Sequence, residues 1–579
     1  MNPNPDPESS TPAARSRLKV VFCWHMHQPQ YADGRGGDYQ LPWTYLHAIK
    51  DYVDMAAHLE DQDGACAVVN FVPTLLEQID DYAAMLAAWL ENGARIRDPL
   101  LAALAGPGVP TDPAARVAMV EACLRANETH MIERFAPYAR LVKLARYALE
   151  HEYLDALNDG FMADLLVWYH LAWMGETVRR TDPRVEVLQD KGAGFDAADR
   201  RTLITVIQEL IVGIVPRYRE LARAGRVELS VTPFAHPIGP LLLDIQSARD
   251  AWPEVDLGGL ESFPGGGERL DWHVREGVRY FQTHFGVVPT GCWPAEGSVC
   301  DGTLSHLAGH GLRWAATGEG VLRNTLARAH GDPEKDGDRT WLFQPYRPAD
   351  ADIACFFRDD GLSDRIGFTY STWHSDDAVG DLIHHLGNIA EALDEPGEHV
   401  VSIIMDGENA WDHYPENGYH FLSQLYRRVA AHPALELTTF QGALDGGVRV
   451  GDLPPLVAGS WVYGSFSTWI GDKDKNRGWE LLIEAKKAFD AHVDALEERP
   501  ADHWQLEHQM ALCEGSDWFW WFGDYNPADT VRDFDGLYRH HLRDLYTLMG
   551  ETPPDVLNRP FAHGGGDPAL GGVMKRGHE

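Results

Sequence analysis

Seven short apolar runs recur along the chain, and most break off in polar and aromatic residues. KVVFCW, at 19–24, runs into HMHQPQY, and ACAVVNF ends near Asn70 and Pro73. RVELSVTPF ends in AHPIGP, which holds His236, and VVPTGCW ends in PAEGSV, with Trp293 and Glu296. LRWAAT leads to Glu319, ADIACFF to Arg358, Asp359 and Asp360, and VSIIM to Asp406, Gly407 and Glu408. Near-continuous apolar strands separated by helix-patterned segments predict an α/β fold, a parallel sheet buried on both faces. Strands that repeatedly end in chemistry-bearing side chains fit a TIM-like barrel with a shared site at its carboxyl-end rim.

Two regions depart from the strand–helix alternation. Residues 80–224, between the second and third strands, are almost wholly helical in pattern and read as an insertion flanking the barrel. The barrel itself is expected to span 18–445. GDLPPLVAGSW then reads as a linker, and NRGWELLIEAKKAFDAHVDALEE opens an all-helical C-terminal domain over 446–560. Residues 1–17, proline-rich and polar, and 561–579, glycine-rich, are expected to be disordered tails.

A length of 579 residues exceeds one ordinary core, in keeping with several modules. The net charge of −37 disfavours nucleic acid and anionic membranes as partners and suits a neutral ligand. Seven scattered cysteines without a C-x-x-C pair predict neither a disulfide framework nor a zinc knuckle. The N-terminal segment lacks the apolar core of a signal peptide, so a cytoplasmic location is expected.

The carboxylates of Glu296 and Asp406, placed at the ends of neighbouring strands, can face each other across a bound sugar as nucleophile and acid/base. Each taken singly reads equally well as a turn residue or a helix cap. The tryptophans beside them, Trp293 and Trp411, suit stacking on sugar faces and favour chemistry. Proximity to an ionised Glu296 is expected to raise the acid's pKa. His25 and His27 alternate on one strand face and, with His236, form a credible zinc set, a substrate-binding group or satisfied core residues.

HMHQPQY, VTPFAHPI, GCWPAEGSV, MDGENAW and GSWVYGSFSTWIGDKDKN, in this order, resemble the five motifs of glycoside hydrolase family 57. The likeness runs from Lys19 to Pro560 and is densest in the amylopullulanase-like branch. It implies an incomplete (β/α)7 barrel, a helical C-terminal domain and a retaining mechanism on α-glucans without a cofactor or metal. It places the nucleophile at Glu296 and the acid/base at Asp406, with Glu408 positioning the acid or holding a sugar hydroxyl. His25, His27 and His236 are implied to hydrogen-bond substrate or to orient the carboxylates. Aromatic and acidic residues of the C-terminal part, Trp461, Trp469, Asp517 and Trp520, are expected to line the cleft beside the barrel.

The combined expectation is an α-glucan-active enzyme of amylase or amylopullulanase type, with glucanotransferase or branching activity as the alternative. A metal-dependent deacetylase or mannosidase using the histidines, and a non-catalytic glucan-binding protein, are the rivals of another class.

Overall fold

The computed structural model describes residues 16–34, 36–106, 109–335, 337–496 and 503–566. Most of the two expected tails, 1–17 and 561–579, falls outside them. Among the described residues ten strands run in chain order: β1 (Leu18–Met26), β2 (Ala67–Phe71), β3 (Val227–Val231), β4 (Gly291–Cys292) and β5 (Trp314–Gly318), then β6 (Tyr346–Pro348), β7 (Ala354–Arg358), β8 (Val400–Asp406), β9 (Leu435–Leu437) and β10 (Gly451–Leu453). Strands β1, β2, β3, β4, β5, β7 and β8 pair in parallel, each with the next, and β8 returns to β1. These are the seven apolar runs of the sequence, and together they close a seven-stranded (β/α) barrel.

The ring is uneven. β1 and β8 pair from Lys19↔Val400 to His25↔Asp406, whereas β7 meets β8 only at Arg358↔Ser402 and β3 meets β4 only at Val231↔Cys292. The remaining strands, β6, β9 and β10, lie outside the ring: β9 pairs with the start of β1, and β6 carries β10 along the outside of β7. Three residues each, they are too short for side-chain alternation to reveal them.

Alternation within the barrel strands sorts two cores. Val21 and Cys23 of β1 pack with Val68, Trp314, Ala316, Phe356, Val400 and Ile404 in the barrel interior. Val20, Phe22, Trp24 and Met26 face outward into the layer of helices. Gly291 of β4 is required by contact: a Cβ there would lie 1.7 Å from the Trp314 ring. Phe440 and Ala443, from the helix Phe440–Asp445, close the interior.

Between β2 and β3 the chain is helical, from Pro73–Asn92 to the long Ala197–Arg223. The latter begins on a reciprocal cap in which Asp196 and Asp199 satisfy each other's backbone amides. After β10 come the helices Lys473–Asp494, His503–Cys513, Ser516–Trp521 and Ala528–Leu548. Among the described residues no helix is long and apolar enough to cross a membrane.

Candidate active site

The inward faces of the strands decide which side chains reach the rim. On β1 the face of Val21 and Cys23 continues to His25, and on β8 the face of Val400 and Ile404 continues to Asp406. His25 is the register partner of both Asp406 and Asn70 of β2. Glu296 arrives by another route. β4 ends after two residues, Pro294 turns the chain, and Glu296 sits in a tight turn with φ 57°. His236, after β3, has φ 59° and Tyr463, after β10, has φ 56°. A left-handed backbone at a non-glycine residue costs of order 1–3 kcal/mol. Two of the three, Glu296 and His236, put their side chains on the wall of one cavity, so the backbone there is held to aim them.

The structure therefore corrects one expectation. β4 and β8 are not neighbours, since each pairs with other strands, and Glu296 and Asp406 approach a common cavity from separate parts of the ring. That cavity, about 470 Å³, opens at the carboxyl-end rim. His25, His27, His236, Glu296, Asp406, Glu408, Trp461, Asp517 and Trp520 all line it.

Trp293, Trp411 and Trp469 do not, although stacking on sugar was expected of the first two and a place in the cleft wall of the third. All three are fully buried. Trp293 packs edge-on against Trp461, and Trp469 lies beside Trp520. Trp411 donates its indole N–H to the Gly407 carbonyl and packs against Trp24. They support the rings and loops that line the cavity. A flanking tryptophan in a motif does not distinguish these two uses, because each buries a large apolar face.

Several wall residues escaped the sequence reading. Trp43, Trp173 and Asn127 come from helical stretches without a motif, and no local signal marks them. Trp521 and Phe534 extend the aromatic wall from the C-terminal helices. Ser516 was also missed, although it immediately precedes Asp517.

The polar groups are densely connected. The Trp461 indole N–H donates to Glu296 Oε2 at 3.2 Å, and the Ser516 hydroxyl is hydrogen-bonded to Oε1 at 3.1 Å. His27 Nε2 bonds Asp517 at 2.8 Å. Asn409 donates to Asp406 Oδ2 at 2.9 Å, and Gln28 and the His27 backbone amide both donate to Glu408 Oε1 at 3.2 Å. The Arg358 guanidinium lies 5.4 Å from the Trp461 ring centroid, supporting the indole that serves Glu296. Among the described residues, Glu408 Oε2 and His27 Nδ1 are buried polar atoms with no hydrogen-bond partner. A ligand rich in hydroxyls meets that demand.

Burial dominates the electrostatics. It pushes Glu296 up to about 8, with the negative charges of Asp517 and Asp406 adding to the rise. It lifts Asp406 to about 6, while Asn409, His27 and Arg358 pull the other way. The repulsion expected at Asp406 thus falls on Glu296. Burial, followed by the charge of Asp406, raises Glu408 well above the carboxylate range. Burial first, and His27 second, drops His25 to about 3 and His236 well below its usual value.

His27, His236 and Asp517 offer ligand atoms within 4.8 Å of one another. The two imidazoles, however, are stacked, with centroids 3.9 Å apart and planes 22° from parallel. Their in-plane lone pairs run side by side and do not converge on one ion, so the set fits a zinc centre poorly.

The raised carboxyl has a consequence for stability. Glu296 holds its proton to about pH 8 when folded but releases it near 4.5 when unfolded. The folded state binds more protons between these limits, so stability falls as pH rises through that window. Glu296→Gln, which cannot ionise, is expected to melt a few degrees higher than the unmodified protein at pH 8 and level with it near pH 4.5. Thermal melts at both pH values check this, and an equal shift at both would refute it.

The model of Glycosyl hydrolase family 57 matches residues 21–452. Among solved structures, a branching enzyme from Pyrococcus horikoshii superposes with TM-score 0.53 at 15% identity, covering 93% of each chain. An α-amylase from Thermotoga maritima gives TM-score 0.52 at 14% identity, covering 94% of this chain and 96% of its own. A 4-α-glucanotransferase from Thermococcus litoralis gives 0.50 at 13%, covering 92% of this chain and 60% of its own. No curated protein matches the sequence significantly. The extent of the family match over the barrel that carries the rim residues is decisive: the chain belongs to glycosyl hydrolase family 57.

Proposed function

We propose that the protein cleaves α-glucosidic bonds of α-glucans with retention, by double displacement, using Glu296 as nucleophile and Asp406 as acid/base. The observation that carries this reading is one cavity that joins both carboxylates to an aromatic wall. Trp461 and Ser516 surround Glu296 with donors suited to an anion, as a nucleophile needs. Asp406, lifted to about 6, holds a proton readily enough to give it to a leaving oxygen and take one from the acceptor.

In the first step Glu296 attacks the anomeric carbon while Asp406 protonates the departing sugar. In the second, Asp406 deprotonates the acceptor, which displaces Glu296 from the opposite face. Water as acceptor gives hydrolysis, and a sugar hydroxyl gives glucan transfer or branching. Trp43, Trp173, Trp520 and Trp521 line the same cavity and offer stacking faces for glucose units on either side of the scissile bond. Glu408, neutral through its raised pKa, donates from its unpartnered oxygen to a sugar hydroxyl.

A second reading exchanges the two roles. Glu296 carries the higher pKa, about 8 against about 6 for Asp406, which is the order of an acid and a nucleophile respectively. The family motifs and the donors around Glu296 favour the first assignment.

Incubation with amylose, pullulan and maltooligosaccharides, with products resolved by length and linkage, identifies the acceptor. Proton NMR of the newly released reducing end is expected to show the α anomer first. Initial release of the β anomer would defeat double displacement.

A further inference from the structure

We propose that Ser516 is a positioning residue that relays the proton of Glu296 to His236, so that the nucleophile ionises without exchanging a proton with solvent. The inference rests on the reading of Glu296 as nucleophile.

Along this buried chain each hydrogen is fixed by a neighbour that can only accept it. Asn70 gives its amide nitrogen to Ser230 Oγ at 3.1 Å and turns its oxygen to His25 Nδ1 at 2.7 Å. That oxygen only accepts, so His25 Nδ1 carries the hydrogen. A neutral His25 then has a bare Nε2, which must accept from His236 Nε2–H, 3.1 Å away. Neutral His236 is left with a bare Nδ1, and that atom lies 2.8 Å from Ser516 Oγ. Ser516 has one hydrogen and two neighbours that want it, His236 Nδ1 and Glu296 Oε1 at 3.1 Å.

Two arrangements satisfy every member. With Glu296 protonated, its O–H donates to Ser516 Oγ and Ser516 donates to His236. With Glu296 ionised, Ser516 donates to Oε1 and His236 must carry hydrogen on both nitrogens. The passage between them is balanced. The Oε1–H bond breaks as a bond to Ser516 Oγ forms, and the original Ser516 hydrogen moves to His236 Nδ1. Net charge is unchanged, and the new imidazolium stands 3.8 Å from the new carboxylate. Asn70, His236 and Ser516 are almost wholly buried, so water competes little for the hydrogens that run between Ser516 and the two histidines.

The relay also accounts for a nucleophile whose carboxyl is held up to about 8. Positive charge growing on the anomeric carbon draws the proton off Glu296 along the chain, and the carboxylate left 3.8 Å away offsets the burial that otherwise keeps His236 neutral, so His236 holds the proton within the site. The charged and titratable groups facing Glu296 are Asp406 from β8, His25 and His27 from β1, His236 after β3, and Asp517 from the helix Ser516–Trp521.

The test reads glycosylation with α-maltosyl fluoride, whose fluoride needs little acid assistance. For the unmodified full-length protein kcat/KM is expected to stay level from pH 6 to 9. In Ser516→Ala, Glu296 must lose its proton to solvent, so kcat/KM rises tenfold per unit up to about pH 8. The variant then lies roughly a hundredfold below the unmodified protein at pH 6 and close to it at pH 9. Parallel profiles offset by a constant factor would overturn the relay. A second measurement needs no variant at Ser516. 15N NMR of the empty protein, with His236 assigned by its loss in His236→Gln, is expected to show neutral imidazole with hydrogen on Nε2. Hydrogen on Nδ1 alone would overturn it. Labelling with 5-fluoro-α-maltosyl fluoride and peptide mass spectrometry separates the two readings. Label elsewhere than Glu296 removes the premise, whereas label on Glu296 with parallel profiles removes only the relay.

Discussion

Glu296→Ala is expected to lower turnover of maltooligosaccharides by on the order of 10⁴-fold or more, because no glycosyl-enzyme can form. Burial disfavours its ionised carboxyl in the folded protein, so truncation relieves that cost, and a far-UV CD spectrum matching the unmodified protein is expected. Truncation also opens space on the β face of the bound sugar. Azide entering that space should displace a good leaving group from an activated α-glucoside and give the β-glycosyl azide. An α-azide from this variant would reassign Glu296 as the acid/base.

Asp406→Ala is expected to have the second largest effect, and one that depends on the leaving group. With natural glucans the departing oxygen needs its proton, and activity should fall by about 10²–10⁴-fold. With α-maltosyl fluoride the first step should proceed at near-normal rate and glycosyl-enzyme should accumulate. Azide then intercepts the β-linked intermediate and yields the α-glycosyl azide. Glu408→Gln, which keeps a neutral donor, is expected to show neither product pattern. If Asp406→Ala gives the β product and Glu296→Ala the α product, the exchanged roles are correct.

The barrel was legible in the sequence because strands buried on both faces write themselves as unbroken apolar runs, as in Val401 to Met405. The outlying β6, β9 and β10 leave no such trace. The rim histidines and carboxylates were legible because each sits where such a run stops. What the sequence does not order is the ring: nothing in GCWPAEGSV or MDGENAW says that β4 and β8 lack a common edge. The aromatic motif residues failed for a related reason. Trp411 and Trp461 both stand within motif stretches, and only the packing around Arg358 and Gly407 sends one under the surface and the other into the cavity. Trp173 belongs to a helical stretch whose pattern describes its own core and not what it overhangs.

One feature of the rim bears on how such a chain can be divided. The family match stops at residue 452, yet the groups that touch and charge Glu296 from the far side, Ser516 and Asp517, lie beyond it. Ser516 stands 220 positions from the carboxyl it contacts. A protein cut back to its recognisable barrel keeps both acids and every motif histidine but loses the partners that hold Glu296 and His27. Fragments, fusions and exchanged modules should therefore be drawn with the helices that follow β10 counted as part of the catalytic unit, however plain their own sequence looks.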